Sequence, residues 1–156
     1  MPFEEISKKE SDAIALMKTR LSGFETEEGR LKGLSYAPKY RDEVVITTSP
    51  KAGTTWLQQI CHQIRSARHG GDMTFEEISE VVPWLELAHD VGQDLEAPQY
   101  GHNEELPRIF KSHAWEEHCP QFPKVIVVLR NPEDVLLSFY NFFEGWFFEP
   151  GSISLD

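Results

Sequence analysis

The sequence predicts an α/β protein, a parallel sheet flanked by helices. Two β-branched runs, Glu43–Thr48 and Lys124–Arg130, are each followed by a tight turn and then a helical pattern. A third short run, Arg108–Ser112, lies between them. Strand, helix, strand, helix at such spacing makes crossover units rather than hairpins.

Taken in order, residues 3–21 carry Ile6, Ala13, Ile14, Leu16 and Met17 among charges, the pattern of an amphipathic surface helix. Gly23–Arg41, with its glycines, Pro38 and tyrosines, reads as loop. Glu43–Thr48 (EVVITT) reads as a buried strand. Ser49–Gly53 forms a turn, and Thr54–Arg68 a helix with Trp56, Leu57, Ile60 and Ile64 on one face; Gly70 and Gly71 stop it. Thr74 and Glu77 form a capping-box pattern that predicts a helix ending before Pro83. Ala88–Pro107 has no clear period and reads as a long loop. Lys124–Arg130 (KVIVVLR) is the strongest strand pattern in the chain. Asn131 then suits an N-cap, Pro132 the first helical position and Glu133 and Asp134 the first turn of a helix running to about Trp146. Only about three strands are visible, fewer than doubly wound folds usually carry.

The chain has 156 residues, the length of a single domain over 1–156. It carries 26 acidic and 15 basic residues, a formal net charge of −11, which argues against a duplex nucleic-acid partner. A small anionic ligand stays compatible, because a pocket needs only a few local cations. No run approaches the ~18 apolar residues of a membrane span. The first twenty residues lack the basic and apolar regions of a secretory signal, and two cysteines, Cys61 and Cys119, make no disulfide framework. A reducing, cytoplasmic location is the expectation.

Three segments carry chemistry. In Thr48-Ser49-Pro50-Lys51-Ala52-Gly53-Thr54-Thr55-Trp56 a strand ends and a helix begins. The unpaired N–H groups at a helix start attract an anion. Gly53 permits close approach, Lys51 adds a full charge, Thr54 and Thr55 offer hydroxyls, and Trp56 offers a flat face for a base. The lysine precedes the glycine and the leading glycine is missing, so this is not a Walker A loop. An ordinary strand–turn–helix corner would look similar. In the second segment, Arg130 ends a strand where open α/β sheets bind ligands, and Ser138 follows on the helix. An Arg130 pair with Glu133 or Asp134 is the plainer alternative. In the third, Lys111-Ser112-His113 closes a short strand, and a histidine beside a lysine can serve as general base with an electrostatic helper. His113, His118 and Cys119 lack a fourth ligand at zinc spacing, so no metal is expected.

In this order the three segments resemble the cytosolic sulfotransferases, enzymes that use 3′-phosphoadenosine 5′-phosphosulfate (PAPS). The family's phosphosulfate loop TYPKSGTTW appears as TSPKAGTTW, its Lys-Thr-His segment as Lys111-Ser112-His113, and its 3′-phosphate motif as Arg130 with Ser138 inside VLRNPEDVLLSFYNFF. Pro83-Trp84-Leu85-Glu86 is similar to a segment that lines the acceptor pocket. The resemblance runs from about Val44 to Trp146, roughly the N-terminal half of such an enzyme.

The resemblance implies a P-loop-like sulfotransferase fold, C-terminally truncated. It implies transfer of a sulfuryl group from PAPS, without a metal, to a hydroxyl or amine of a small, largely apolar acceptor. Lys51 would contact the phosphosulfate and its leaving oxygen; the loop from Ala52 and Gly53 through Thr54 and Thr55 would cradle it, and Trp56 would stack on adenine. Arg130 and Ser138 would bind the 3′-phosphate, His113 would take the acceptor proton, and Lys111 would stabilise the transferring group. Trp84, Leu87 and Phe142 would face the acceptor. Two residues depart from the family: Ala52 stands where it has serine, and Ser49 where it has tyrosine. The family's later Arg-Lys-Gly segment has no counterpart, and no Lys or Arg follows Arg130. The expectation is therefore weakened nucleotide contact, with uncovered apolar faces on Val125–Leu129 and the last helix available for self-association. A catalytically inactive isoform that binds nucleotide weakly or pairs with a full-length subunit is the alternative expectation. A phosphate-loop NTPase is disfavoured because no carboxylate follows KVIVVL.

Overall fold

In the computed structural model, which describes residues 7–97, 106–114 and 121–155, three parallel strands form one sheet. β1 (Val44–Thr47) lies at its centre, β2 (Ile109–Ser112) on one side and β3 (Lys124–Ile126) on the other. Val45 pairs with Phe110 and with Val125. The chain runs from β1 to one neighbour and then crosses to the other, so the carboxyl end of β1 opens onto a topological switch point, where α/β sheets take ligands.

The chain divides into two units, one spanning residues 27–130 and the other the residues up to Thr26 together with those from Asn131. The first holds the sheet, with α2 (Glu27–Leu34), α3 (Thr54–Ser66) and the one-turn α4 (Leu85–Ala88). Strand residues alternate between two cores, as a pleated sheet requires. Val45 and Phe110 pack with Tyr36, Leu85, Leu95 and Phe122. Ile46 and Ile109 pack on the other face with Ile78, Val82, Leu57 and Cys61. The second unit holds α1 (Lys8–Ser22) and α5 (Pro132–Trp146), with Ala13, Phe147 and Phe148 at its centre. Ser7 and Glu10 close a capping box on α1, and Asn131 caps α5 by accepting the Glu133 N–H with Pro132 at the first turn. Among the described residues no helix is long and apolar enough to cross a membrane.

Four elements differ from the sequence expectation. The stretch 23–41 contains α2, whose glycines pack directly on other groups: a Cβ at Gly33 would stand 1.7 Å from the Leu85 carbonyl oxygen, and one at Gly29 2.4 Å from Asp90 Oδ1. No α-helix starts at Thr74, because Asp72 Oδ1 takes both its N–H and its hydroxyl. The capping box instead joins Glu77 and Glu80 around a single 3₁₀ turn, Ile78–Glu80. β3 stops at Ile126 rather than Arg130, since its ladder rests on the four-residue β1 alone. Beyond it Val127 is exposed and Leu129 is 92% exposed; Leu136 and Leu137 on the last helix are exposed as well.

The fourth difference is the buried face of α3. Trp56 is 76% and Ile64 70% exposed, while Gln58, His62, Arg65 and Ser66 are buried. That polar face satisfies backbone carbonyls. Gln58 Nε2 donates to Val82 O, Arg65 donates to Val81 O and Pro107 O, and the His62 ring meets Phe75 edge-on. Hydrogen-bond demand from the 81–82 and 107 segments, not apolar periodicity, decides which face turns inward.

Candidate functional site

The turn after β1 is the centre of the site. Lys51 holds a left-handed backbone, φ 65°, which is uncommon for a residue with a side chain. Gly53 follows at φ 113° with open space where a Cβ would stand, and it is the N-cap of α3. Among the described residues no side chain caps α3, and its first turn has no acidic residue, so its leading N–H groups and the positive end of its dipole are open to an anion together. The Thr48 and Thr54 hydroxyls bond across the turn and Ala52 N–H donates to Ser49 O, closing the loop on itself. Ala52 and Thr54 are buried, whereas Thr55 and Trp56 are exposed.

Two further segments converge on this loop. Arg130 Nη1 donates to Lys51 O at 3.0 Å, so the arginine after β3 reaches the turn after β1. From β2, His113 Nδ1 lies 2.9 Å from Thr48 O. A carbonyl only accepts, so Nδ1 carries the hydrogen, and in the neutral ring Nε2 keeps its lone pair. Thr47 Oγ1 donates to Ala114 O at 2.7 Å, fastening the same segment to β1. Lys51, His113 and Arg130 thus gather around residues 48–54 at the carboxyl ends of all three strands.

Lys111, two residues before His113, is almost wholly buried. Its N–H donates to Pro83 O at 2.8 Å, and residues 83–84 run beside β2 like a further strand edge. Its ammonium lies 3.6 Å from the centroid of the Trp84 ring. Burial pulls the Lys111 pKa down to about 8; Glu86 and Glu77 oppose that, and Lys51 adds to it. His113 is lowered from its ordinary value chiefly by burial, with Lys111 pushing the same way and the Thr48 hydrogen bond and Glu86 pushing back. Near neutral pH the site therefore holds a neutral imidazole beside a charged lysine.

Trp84 joins this chemistry to a cavity of about 600 Å³. Its ring meets that of His113 edge-on at 5.2 Å and 86°. Trp84, Leu87, Ala88 and Val91 supply the apolar wall, with Lys111 and Glu77 among the polar groups. Of the residues the sequence singled out, Lys51–Trp56, Trp84, Leu87, Lys111, His113 and Arg130 all belong to the 27–130 unit. Ser138 and Phe142 lie on α5 in the other unit. His118 and Cys119 lie outside the described residues. The sequence brought Glu86 in only as part of the Pro83–Glu86 segment and Thr48 only at the head of the loop; it pointed to no part for the Glu86 carboxylate, the Thr48 carbonyl or Val91. The one available signal for Glu86 was a single carboxylate inside the apolar run Pro83–Leu87.

A family model described as the sulfotransferase domain matches residues 41–153. Among curated proteins, the chain is 33% identical over 139 residues to Sulfotransferase 1B1 of Mus musculus, covering 83% of this chain and 40% of that protein. It is 36% identical over 107 residues to Amine sulfotransferase of Oryctolagus cuniculus, covering 65% of this chain and 33% of that protein. It is 32% identical over 109 residues to Sulfotransferase 1E1 of Homo sapiens, covering 65% and 36% respectively. The chain thus spans 33–40% of the length of these relatives.

Proposed function

The chain belongs to the sulfotransferase family, and from that premise we propose that it moves a sulfuryl group from PAPS to a hydroxyl or amine of a small, largely apolar acceptor. We take residues 1–156 as a single, partial sulfotransferase domain acting in the cytoplasm. The observation that carries the reading is the convergence on one loop: His113 on the Thr48 carbonyl and Arg130 on the Lys51 carbonyl, at the start of a helix with no acid in its first turn. A basic, uncapped turn of this kind suits a phosphosulfate, and a nearby arginine suits a second phosphate.

PAPS supplies an activated sulfur whose bond to the 5′-phosphate oxygen breaks in the reaction. The neutral His113 is suited to draw the proton from the acceptor at Nε2 as the acceptor atom bonds to sulfur. Lys51 and the amides of residues 53–56 meet the negative charge that collects on the departing phosphate oxygen. Lys111 faces the same region with a charge that burial leaves poorly hydrated and therefore strong. Trp84, Leu87 and Val91 hold an apolar acceptor body and exclude water around it. Trp56, exposed at the helix start, is available to stack on adenine.

Incubating the chain with ³⁵S-labelled PAPS and a small phenol, an aliphatic alcohol or an arylalkylamine tests this. Labelled product is expected, with a Lys51→Ala variant slower by about 10²–10³-fold, the usual loss for one group that stabilises developing charge. No labelled product from any acceptor class would remove the transferase reading. Nucleotide binding without transfer would leave a binding role for the same loop.

A further inference from the structure

Glu86 is a buried carboxylate, 4% exposed, on the single turn of α4. Its Oε1 accepts the His113 backbone N–H at 2.6 Å and the Ser112 hydroxyl at 3.0 Å. Ser112 Oγ in turn accepts the Ala114 N–H at 2.9 Å. One carboxylate oxygen therefore fixes three consecutive residues at the end of β2. Its other oxygen, Oε2, is buried and has no hydrogen-bond partner among the described residues. A tie of this shape needs only an acceptor, which a glutamine would supply; a buried carboxylate oxygen with no partner is costly. The charge itself needs a role.

We propose that Glu86 is a positioning residue for the reaction: its hydrogen bonds orient the Lys111–His113 segment, and its charge steadies the two cations that segment carries at the moment of proton transfer. This rests on the sulfuryl-transfer reading. His113 becomes an imidazolium when it takes the acceptor proton. Among the described residues, the charged groups acting on it are Lys111, which opposes its charge, and Glu86, which favours it. Those acting on Lys111 are Glu86 and Glu77, which favour its charge, and Lys51, which opposes it. Glu86 is thus common to both residues and the only one of these groups that is buried and anionic. The ring itself is held separately, through Nδ1 on Thr48 O, so Glu86 acts through the backbone and through space.

Glu86→Gln keeps shape and an acceptor oxygen, removes the charge and places an amide NH2 where Oε2 stood. The test follows the His113 ring and Lys111 side-chain signals of the 156-residue chain by NMR against pH, with and without the substitution. In the variant both titration midpoints are expected to fall, that of Lys111 by about one pH unit. Unmoved midpoints in a folded variant would reduce Glu86 to a mere tie and overturn the proposal. Should that variant not fold, Glu86→Asp decides: it keeps the charge, so both midpoints should stay near those of the wild type, and midpoints that fall as far as loss of the charge predicts overturn the claim. Where the wild type turns over, the alkaline limb of kcat should move to lower pH in the variant, with acceptor KM little changed. A wild type that transfers no sulfuryl group would sink the transferase reading while the NMR titrations still judge Glu86.

Discussion

A His113→Asn variant should lose about 10²–10⁴-fold in the rate of transfer, the span general-base catalysis normally contributes. Asparagine can still offer an N–H toward Thr48 O but has no basic nitrogen to receive a proton. The backbone hydrogen bond from residue 113 to Glu86 does not involve the side chain, so the fold around β2 should persist. The wild-type pH profile carries the same information. As the proposed base His113 would have to be neutral, and burial holds its pKa below the ordinary value, so the rate should rise as pH climbs through the acid range. As the proposed electrostatic helper Lys111 would have to be charged, and its pKa of about 8 predicts a fall as pH passes that point. The asparagine variant should lose the acid limb and keep the alkaline one. A variant with wild-type turnover and an unchanged acid limb would show that another group accepts the proton.

The largest stability effect is expected from Gly33→Ala. A methyl group there would lie 1.7 Å from the Leu85 carbonyl oxygen and 2.7 Å from its carbon. These are backbone atoms of the turn that carries Glu86, and unlike a flexible side chain they cannot swing aside. Overpacking in a core usually costs about 1–3 kcal/mol, and a clash with backbone should reach or pass the upper end. For a chain of this length about 3 kcal/mol lowers the melting temperature by roughly 6–12 °C. Because α2 sets the position of α4, transfer should fall together with stability. Equal melting of variant and wild type would mean that the two helices do not pack at backbone distance.

Both sites bear on what the amino-acid sequence reveals. β1 and its loop are legible because β-branched residues, a lysine, a glycine and two threonines each have a local reason to be where they are. Lys111 and His113 are legible for the same reason, lying at the end of β2 on the side where such sheets bind ligands, whereas Arg130, expected to end its strand, lies beyond Ile126, where β3 stops. α2 is not, since EEGRLKGL has little apolar pattern; it is helical because Gly29 and Gly33 let it press against residues 85–90. The inward polar face of α3 is equally hidden, being set by carbonyls at Val81, Val82 and Pro107 that are distant in the chain. Thr74 shows a local motif losing to a nearer partner, Asp72. For Glu86 the one signal, a carboxylate in an apolar run, does not reveal the part proposed for it, because its burial beside β2 is created only by packing.

The reading depends on the loop at residues 48–54, with Lys51 and Arg130, being a seat for a nucleotide bearing two anionic groups. Titration of ¹⁵N-labelled chain with adenosine 3′,5′-bisphosphate addresses this without requiring turnover. Saturable shifts should centre on the amides of Gly53 to Trp56 and on the Arg130 side chain, and binding should weaken as salt is raised. Absence of saturable shifts at millimolar nucleotide, or shifts confined to residues away from that loop, would contradict it.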